Sequence, residues 1–416
     1  MNTLTRRGFV GMTAAGLALA AGIRGTASAA PEKSLSAVPG TVPPISPEEH
    51  AARIGKLQSL LQREKVAACL VEAGSSLEYF TGIRWWRSER TTAALIPAVG
   101  QTVVVTPFFE VPSVEESLKI SGDVRSWHED QSPFALLADA MKANAASGPL
   151  AVEGTTRHFI VDGTVNAGMN RGVVSGEALV NTCRTIKSPA ELALMQASND
   201  VTIGAIRLAR QQMKSGMTGP EITEILYEAM ESKGGRNPFA LVLINEASAF
   251  PHGTEKPQSV RDGSVVLIDT GCSYHGYASD ISRTWVHGKP TARQREVWDT
   301  VKRGQEICLE TAKVGLPVGD IDFAVRNYYE GKGWAKNYGL PGTSHRTGHG
   351  IGMDGHEPPN LMRADRTPLQ AGMCFSDEPG IYIPGEFGVR MEDCWVMTEQ
   401  GPKLFTPLAK SIDDPI

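Results

Sequence analysis

The chain has 416 residues, 41% of them hydrophobic and 21% charged, with a formal net charge of −5. That is the composition of a globular protein long enough for two separate cores. No basic cluster is large enough to hold a nucleic acid, which excludes that class of partner from the reading.

Residues 1–29 read as a targeting signal and not as part of the fold. Arg6 and Arg7 precede a weakly apolar stretch rich in Ala and Gly, and Ala27–Ala30 offers a small-residue cleavage site. The paired arginines resemble the twin-arginine type of signal, which exports folded proteins, so a periplasmic or secreted location is expected. The apolar run is too short and too Gly-rich for stable membrane insertion. Residues 30–45 follow as a Pro-rich linker.

Residues 46–183 read as an α/β domain. Ser46 is placed to cap a helix, with Glu49 closing a capping box. Short apolar strands ("AACLV", "AALIPA", "TVVVTP", "LAVEG") alternate with helical stretches ("EEHAARIGKLQSLLQRE", "PFALLADAMKANA"). The adjacent Trp85 and Trp86 have two readings: an aromatic pair packed on its own domain, or a lid over the site of a partner subunit.

A boundary falls at about residue 184. Ser188, Pro189 and Glu191 supply a cap, a first-turn proline and a third-position carboxylate, and apolar residues at 194, 197, 201, 205 and 208 follow with helical spacing. Thr218 and Glu221 begin a second helix in the same way. A third starts near Thr291, with Val297, Val301, Cys308 and Ala312 on one face. Strands rich in Val, Ile and Thr lie between them, so residues 184–416 read as α+β, with helices covering a largely antiparallel sheet. The six cysteines contain no CxxC pair and give no disulfide framework, although Cys374 and Cys394 flank the same region and a bridge between them stays open.

The chemistry concentrates in this second half. Six of the nine histidines fall between His252 and His356. In "VVLIDTGCSYHGYASDISRT" four apolar residues run into Asp269, and Asp280 follows eleven positions later on what reads as the returning strand. If the two strands pair in register, the carboxylates face each other about 5 Å apart. The pattern recurs near the C-terminus, where Glu378 ends an apolar run and Glu392 lies on the return strand after a Pro/Gly-rich turn. Between the two ribbons lies "HRTGHGIGMDGHEPP", in which glycines flank His349. Buried carboxylates repel unless protonated or bridged by cations. Two divalent cations would balance four carboxylates, with one neutral imidazole completing the shell. Oxygen-rich ligands favour Mn, with Co, Fe or Zn as alternatives, over a thiolate-type zinc site. Two such ions, about 3.5–4 Å apart, share and acidify a water.

These segments resemble the metallopeptidases of the pita-bread fold: prolidases, aminopeptidase P and the methionine aminopeptidases. The resemblance rests on "DTG" with Asp280 eleven residues on, "GHGIG", "EPGIY" and "GVRMED", and covers about residues 45–410. It implies a creatinase-like N-terminal domain, a pita-bread catalytic domain and the metal ligands Asp269, Asp280, His349, Glu378 and Glu392. It also implies that His252 lies near the scissile amide and that His356 bonds the substrate carbonyl. His345 would line the proline side, and Arg390 would serve the proline-specific branch, where it is a candidate to bind a product carboxylate. Glu378 would move the proton from water to the leaving nitrogen. One departure is Asp377, where many relatives carry an apolar residue; on an alternating strand it points away from the metals. The implied activity is Xaa-Pro dipeptide hydrolysis by a metallo-exopeptidase, on short proline-containing peptides and in a homodimer. Aminopeptidase P action on longer peptides, hydrolysis of a small non-peptide amide, and a non-catalytic peptide-binding descendant are the alternatives.

Overall fold

The computed structural model describes residues 42–144 and 146–416. The expected signal, and the linker as far as residue 41, lie outside the described residues.

The N-terminal lobe begins with α1 (Pro47–Arg63), whose Leu57, Leu60 and Leu61 are buried. Ser46 Oγ accepts the Glu49 N–H at 3.2 Å, as a cap should. The reciprocal bond expected from Glu49 is not made. Its carboxylate instead accepts from Arg53 at 2.9 Å and from Ser188 Oγ at 2.6 Å, which ties the first helix to the start of the second lobe. Next come β1 (Ala68–Glu72), α2 (Ser75–Thr81), β2 (Ala93–Pro97) and β3 (Thr102–Pro107). They are followed by α3 (Val111–Ser117), β4 (Gly122–Trp127), α4 (Pro133–Ala143), β5 (Leu150–Val152), α5 (His158–Asn166), β6 (Val173–Ser175) and α6 (Glu177–Arg184). The sheet order is β4-β3-β2-β1-β5-β6. The short link between β2 and β3 makes that pair antiparallel, whereas crossovers through α3 and α5 make β3–β4 and β5–β6 parallel. Strand β1 is buried along its whole length because separate clusters cover its two faces, which is why Ala68–Val71 form a continuous apolar run ahead of Glu72.

The second lobe opens with α7 (Pro189–Gln212) on a complete capping box between Ser188 and Glu191. There follow α8 (Gly219–Ser232), β7 (Arg236–Ile244), β8 (Ser264–Tyr274), β9 (Tyr277–Ala278) and β10 (Ile281–His287). Two more helices, α9 (Ala292–Thr311) and α10 (Val318–Gly331), precede β11 (Gly348–Gly350), β12 (Glu357–Leu361) and β13 (Cys374–Asp377). The chain ends with β14 (Gly380–Tyr382), β15 (Gly388–Arg390), β16 (Asp393–Thr398) and β17 (Gly401–Leu404). One sheet runs β10-β8-β7 with β9 on β8, a second runs β12-β11-β13-β16-β17, and β14 pairs with β15; every pairing is antiparallel. Helices α7 and α8 pack Val201, Ile206, Ile222 and Leu226 onto Val266, Ile268 and Trp285 of the first sheet. Helices α9 and α10 pack Val297, Trp298, Val301 and Val325 with Phe375 and Trp395 of the second. The apolar payload is thus spent against the helices, and polar side chains collect where the sheets meet.

Arg283 and Asp393 join the two sheets. Their side chains have no solvent exposure and meet at 2.6 Å, and Asp393 also accepts from Gln305 Nε2 at 3.0 Å. Arg283 further donates to the carbonyl of Glu392 at 2.8 Å, so the pair fixes the strand that carries an acid of the site.

All six cysteines are free and buried. Cys374 opposes Val396 and Cys394 opposes Ser376, so Cys374 and Cys394 sit two positions out of register and do not form the bridge considered from sequence. The rings of Trp85 and Trp86 stack at 5.5 Å; Trp85 packs on the core of its own lobe and Trp86 is 74% exposed. Among the described residues no helix is long and apolar enough to cross a membrane.

Removing one half of a buried ion pair strands the other charge, at a cost of about 3–5 kcal/mol. Asp393→Ala should therefore lower the melting temperature sharply in a calorimetric scan, far more than Asp413→Ala, which breaks an exposed pair with Arg295.

Candidate metal centre

The first ribbon turns at His275–Gly276, both with positive φ, as a two-residue hairpin turn requires. That turn sets the register. Asp269 on β8 stands opposite Ser282, and the same register carries Asp280, between β9 and β10, to a place opposite Gly271. The two acids are therefore diagonal neighbours, which corrects the expectation that they face each other directly. Diagonal side chains on one face still approach. Carboxylate oxygens of Asp269, Asp280 and Glu392 lie within 4.8 Å of one another.

In the second ribbon Asp377 opposes Asp393 and Gly380 opposes Arg390, so Glu378 and Glu392 fall opposite each other. The Glu378 N–H donates to Thr347 O at 2.8 Å and the Glu392 N–H to Ser282 O at 3.0 Å, anchoring both acids to their neighbours. Asp377 is fully buried on the other side of its strand, among Cys308 and Asp393, and takes no place in the cluster.

His349 joins from β11, where Gly348 lets the strand lie so close to its neighbour that a Cβ would meet Ser376 O at 2.1 Å. Its Nδ1 donates to Gly350 O at 3.0 Å, leaving the Nε2 lone pair aimed at the acids. Nε2 lies 3.4 Å from Glu378, 3.8 Å from Asp280 and 3.9 Å from Glu392. Glu392 belongs to two sets of potential ligands, one with His349 and Glu378 and the other with Asp269 and Asp280.

The electrostatics ask for positive charge. Burial, and then the charges of Asp269 and Glu378, hold the Asp280 carboxyl well above its usual range. Burial, Asp280 and Glu378 do the same to Glu392, and burial pushes Glu378 up to about 7. Burial, followed by His356, drives His349 well below the ordinary imidazole value. Asp269 Oδ1 and Glu392 Oε1 are buried without a hydrogen-bond partner. Such orphaned acceptors, beside a neutral imidazole with a free lone pair, fit a divalent cation held by oxygen and nitrogen ligands.

The remaining predicted residues surround this cluster. His345 contacts Tyr382 Oη through Nε2 at 2.7 Å and the Arg346 carbonyl through Nδ1 at 2.8 Å. The His356 ring lies 4.0 Å from that of His349, tilted 47° to it, and its Nδ1 accepts from Arg346 Nη2 at 3.1 Å. Because a guanidinium only donates, neutral His356 carries its proton on Nε2. His252 sits on an exposed loop, near enough that its charge would depress both His345 and His356. Arg390 is engaged within the site. Its guanidinium is buried and bonds Asp269 Oδ2 at 2.6 Å, Tyr382 Oη at 2.9 Å, Ser282 Oγ at 3.0 Å and Pro251 O at 3.2 Å.

Sequence reading missed Tyr382, Arg346 and Ser282. Tyr382 links Arg390 to His345, while Ser282 Oγ donates to Glu392 Oε2 at 2.9 Å. Both lie in strand-like runs where nothing local marks a hydroxyl as part of a site. Arg346 was visible inside "HRTGHG", but its partners His356 and Asn360 come from a later segment.

Residues 193–399 match Metallopeptidase family M24, and residues 53–186 match the Creatinase/Prolidase N-terminal domain. An Xaa-Pro dipeptidase of Lactobacillus helveticus is 30% identical over 368 residues, covering 86% of this chain and 98% of that one. The solved dipeptidase PepE of Mycobacterium ulcerans superposes with a TM-score of 0.79 at 28% identity, over 88% of this chain and 97% of that one. A prolidase from Thermococcus sibiricus gives 0.78 at 25% identity, over 86% and 97%.

Two outcomes follow from this geometry. Acids whose pKa is raised in the folded, metal-free protein lose stability as pH climbs from their unfolded value, about 4–4.5, through the folded one. Bound cations remove that loss by holding the carboxylates ionised. The gap in melting temperature between metal-loaded and chelator-stripped protein should therefore widen from pH 5 to pH 8; a constant gap would contradict the shifts. Separately, Arg390→Met removes the hydrogen bond that orients Asp269 Oδ2 and, through that lost orientation, should weaken metal affinity by about 10–100-fold in a competition titration.

Proposed function

We propose that this chain, which belongs to metallopeptidase family M24 and is a metallo-exopeptidase, hydrolyses Xaa-Pro dipeptides with two divalent cations, most suitably Mn, with Co, Fe or Zn as substitutes. The observation that carries the reading is the buried meeting of Asp269, Asp280, His349, Glu378 and Glu392, with orphaned oxygens on Asp269 and Glu392. Those five residues would hold the cations, and Glu392 is common to two of the candidate ligand sets. Bound there, the cations would supply Lewis acidity toward the carbonyl and lower the pKa of a water.

The chain's own residues account for the rest. Glu378, which lies 3.4 Å from His349 Nε2 within the cluster, is placed to take a proton from the attacking water and pass it to the leaving nitrogen. His356, with its proton on Nε2, donates toward the oxygen that gains charge. An Xaa-Pro bond has no N–H, so recognition falls to ring shape. His345, braced by Tyr382, lines the proline side, and His252 stands near the scissile nitrogen.

The names of the relatives support dipeptides as substrates. The engaged Arg390 favours a second reading, removal of the first residue from longer Xaa-Pro peptides, because a longer substrate places no carboxylate beside the scissile bond. We further propose export to the periplasm on the strength of Arg6, Arg7 and the Ala27–Ala30 site, and a homodimer by analogy with the family.

Protein stripped by chelator and reloaded with Mn should regain cleavage of an Xaa-Pro dipeptide, faster than that of an Xaa-Pro tripeptide; the opposite order selects the second reading. Glu378→Gln should cut kcat by about 10²–10⁴-fold. Normal turnover of that variant with metal bound would remove Glu378 from proton transfer.

A further inference from the structure

Glu357 follows His356 in the chain and is almost fully buried. Its Oε1 accepts from Arg184 Nη2 at 2.5 Å and from the Asp354 N–H at 3.1 Å, and its Oε2 accepts from Lys187 Nζ at 3.0 Å. Arg184 ends the last helix of the N-terminal lobe. It also reaches Ser75 Oγ at 3.1 Å, Ser76 Oγ at 3.0 Å and Asp354 Oδ2 at 2.8 Å. Ser75 Oγ itself donates to Asp354 Oδ2 at 2.7 Å. Two cations and two carboxylates therefore lock the 354–357 segment to the start of α2 and the end of α6. Gly352 is part of the fit, since a Cβ there would lie 2.7 Å from Glu357 Oε2 and 2.9 Å from Lys187 Cε.

The network lies at the junction of the lobes, in the backbone immediately beside His356, and supplies none of the five cluster residues. A cavity of about 210 Å³, bordered by Glu153, Arg184, Asp354, His356 and Pro358, lies between the lobes at this point. His356 thus borders open space on that side. What fixes it is the Arg346 bond to Nδ1 and the anchored backbone at Glu357. A buried ionic network is a weak device for stability, because desolvation offsets most of its Coulomb gain, whereas an apolar pair would join two lobes as well. Its distinctive product is fixed geometry.

We propose that the N-terminal lobe positions His356 through the Arg184–Glu357–Lys187 network. Arg184, Lys187 and Glu357 are positioning residues: they act on the reaction only through His356. The inference rests on the role given to His356 above, and the experiment separates the two.

Full-length protein is prepared as Arg184→Lys, which keeps the charge but cannot span four partners, and as Lys187→Met, with His356→Ala and each double variant alongside. Metal content is measured for all. The expected result is wild-type metal content, a kcat on an Xaa-Pro dipeptide lowered about tenfold by Arg184→Lys or Lys187→Met with KM little changed, and double variants no slower than His356→Ala alone. Long-range ¹H–¹⁵N spectra of the chelator-stripped variants, which need no turnover, should show the His356 ring signals shifted or broadened, with those of His128 on the N-terminal lobe unmoved. Losses that multiply in the double variants, or unchanged His356 signals, overturn the inference while leaving the role of His356 intact. Normal turnover by His356→Ala defeats that role, and the inference falls with it.

Discussion

Four carboxylates buried around one imidazole cannot all be ionised unless positive charge joins them. That constraint organises the catalytic lobe. It explains why burial and mutual repulsion raise Asp280, Glu378 and Glu392, why His349 is kept neutral, and why oxygens of Asp269 and Glu392 remain without hydrogen-bond partners. It also explains the company of Arg390. A single guanidinium bonded to Asp269 gives partial compensation and leaves the other acids to a cation.

Holding like charges together requires a rigid frame, and the frame is built twice over. Helices α7 and α8 back one sheet and α9 and α10 the other, so each ribbon of acids emerges from its own core. The Arg283–Asp393 pair then joins the sheets without solvent contact. Apolar packing supplies the stability, while the polar links set where strands cross. The site inherits its geometry from that division of labour.

The histidines around the cluster show the same economy. His349 is oriented by a backbone carbonyl, His345 by Tyr382, and His356 by Arg346 on its ring and by Glu357 through the backbone. Each is held from outside the cluster. The N-terminal lobe, whose own sheet contributes nothing to the five residues of the cluster, reaches the site by this route.

Much of this was legible in the sequence for a physical reason: the signals were local. Apolar runs ending in Asp269 and Glu378, glycines around His349, and the cap at Ser188 each depend on neighbours within a few residues, and the helix faces at 194–208 and 297–312 follow from periodicity alone. Other features were decided by partners far along the chain. The turn at His275–Gly276 made Asp269 and Asp280 diagonal neighbours where direct pairing was expected, and the strand register kept Cys374 and Cys394 apart. Glu49 gave up its local cap for Ser188, Arg390 found Asp269 and Tyr382, and Glu357 found Arg184 and Lys187 in another lobe. A sequence determines which residues must be buried and which are able to ligate; which buried charge meets which counter-charge depends on distances that only tertiary packing sets.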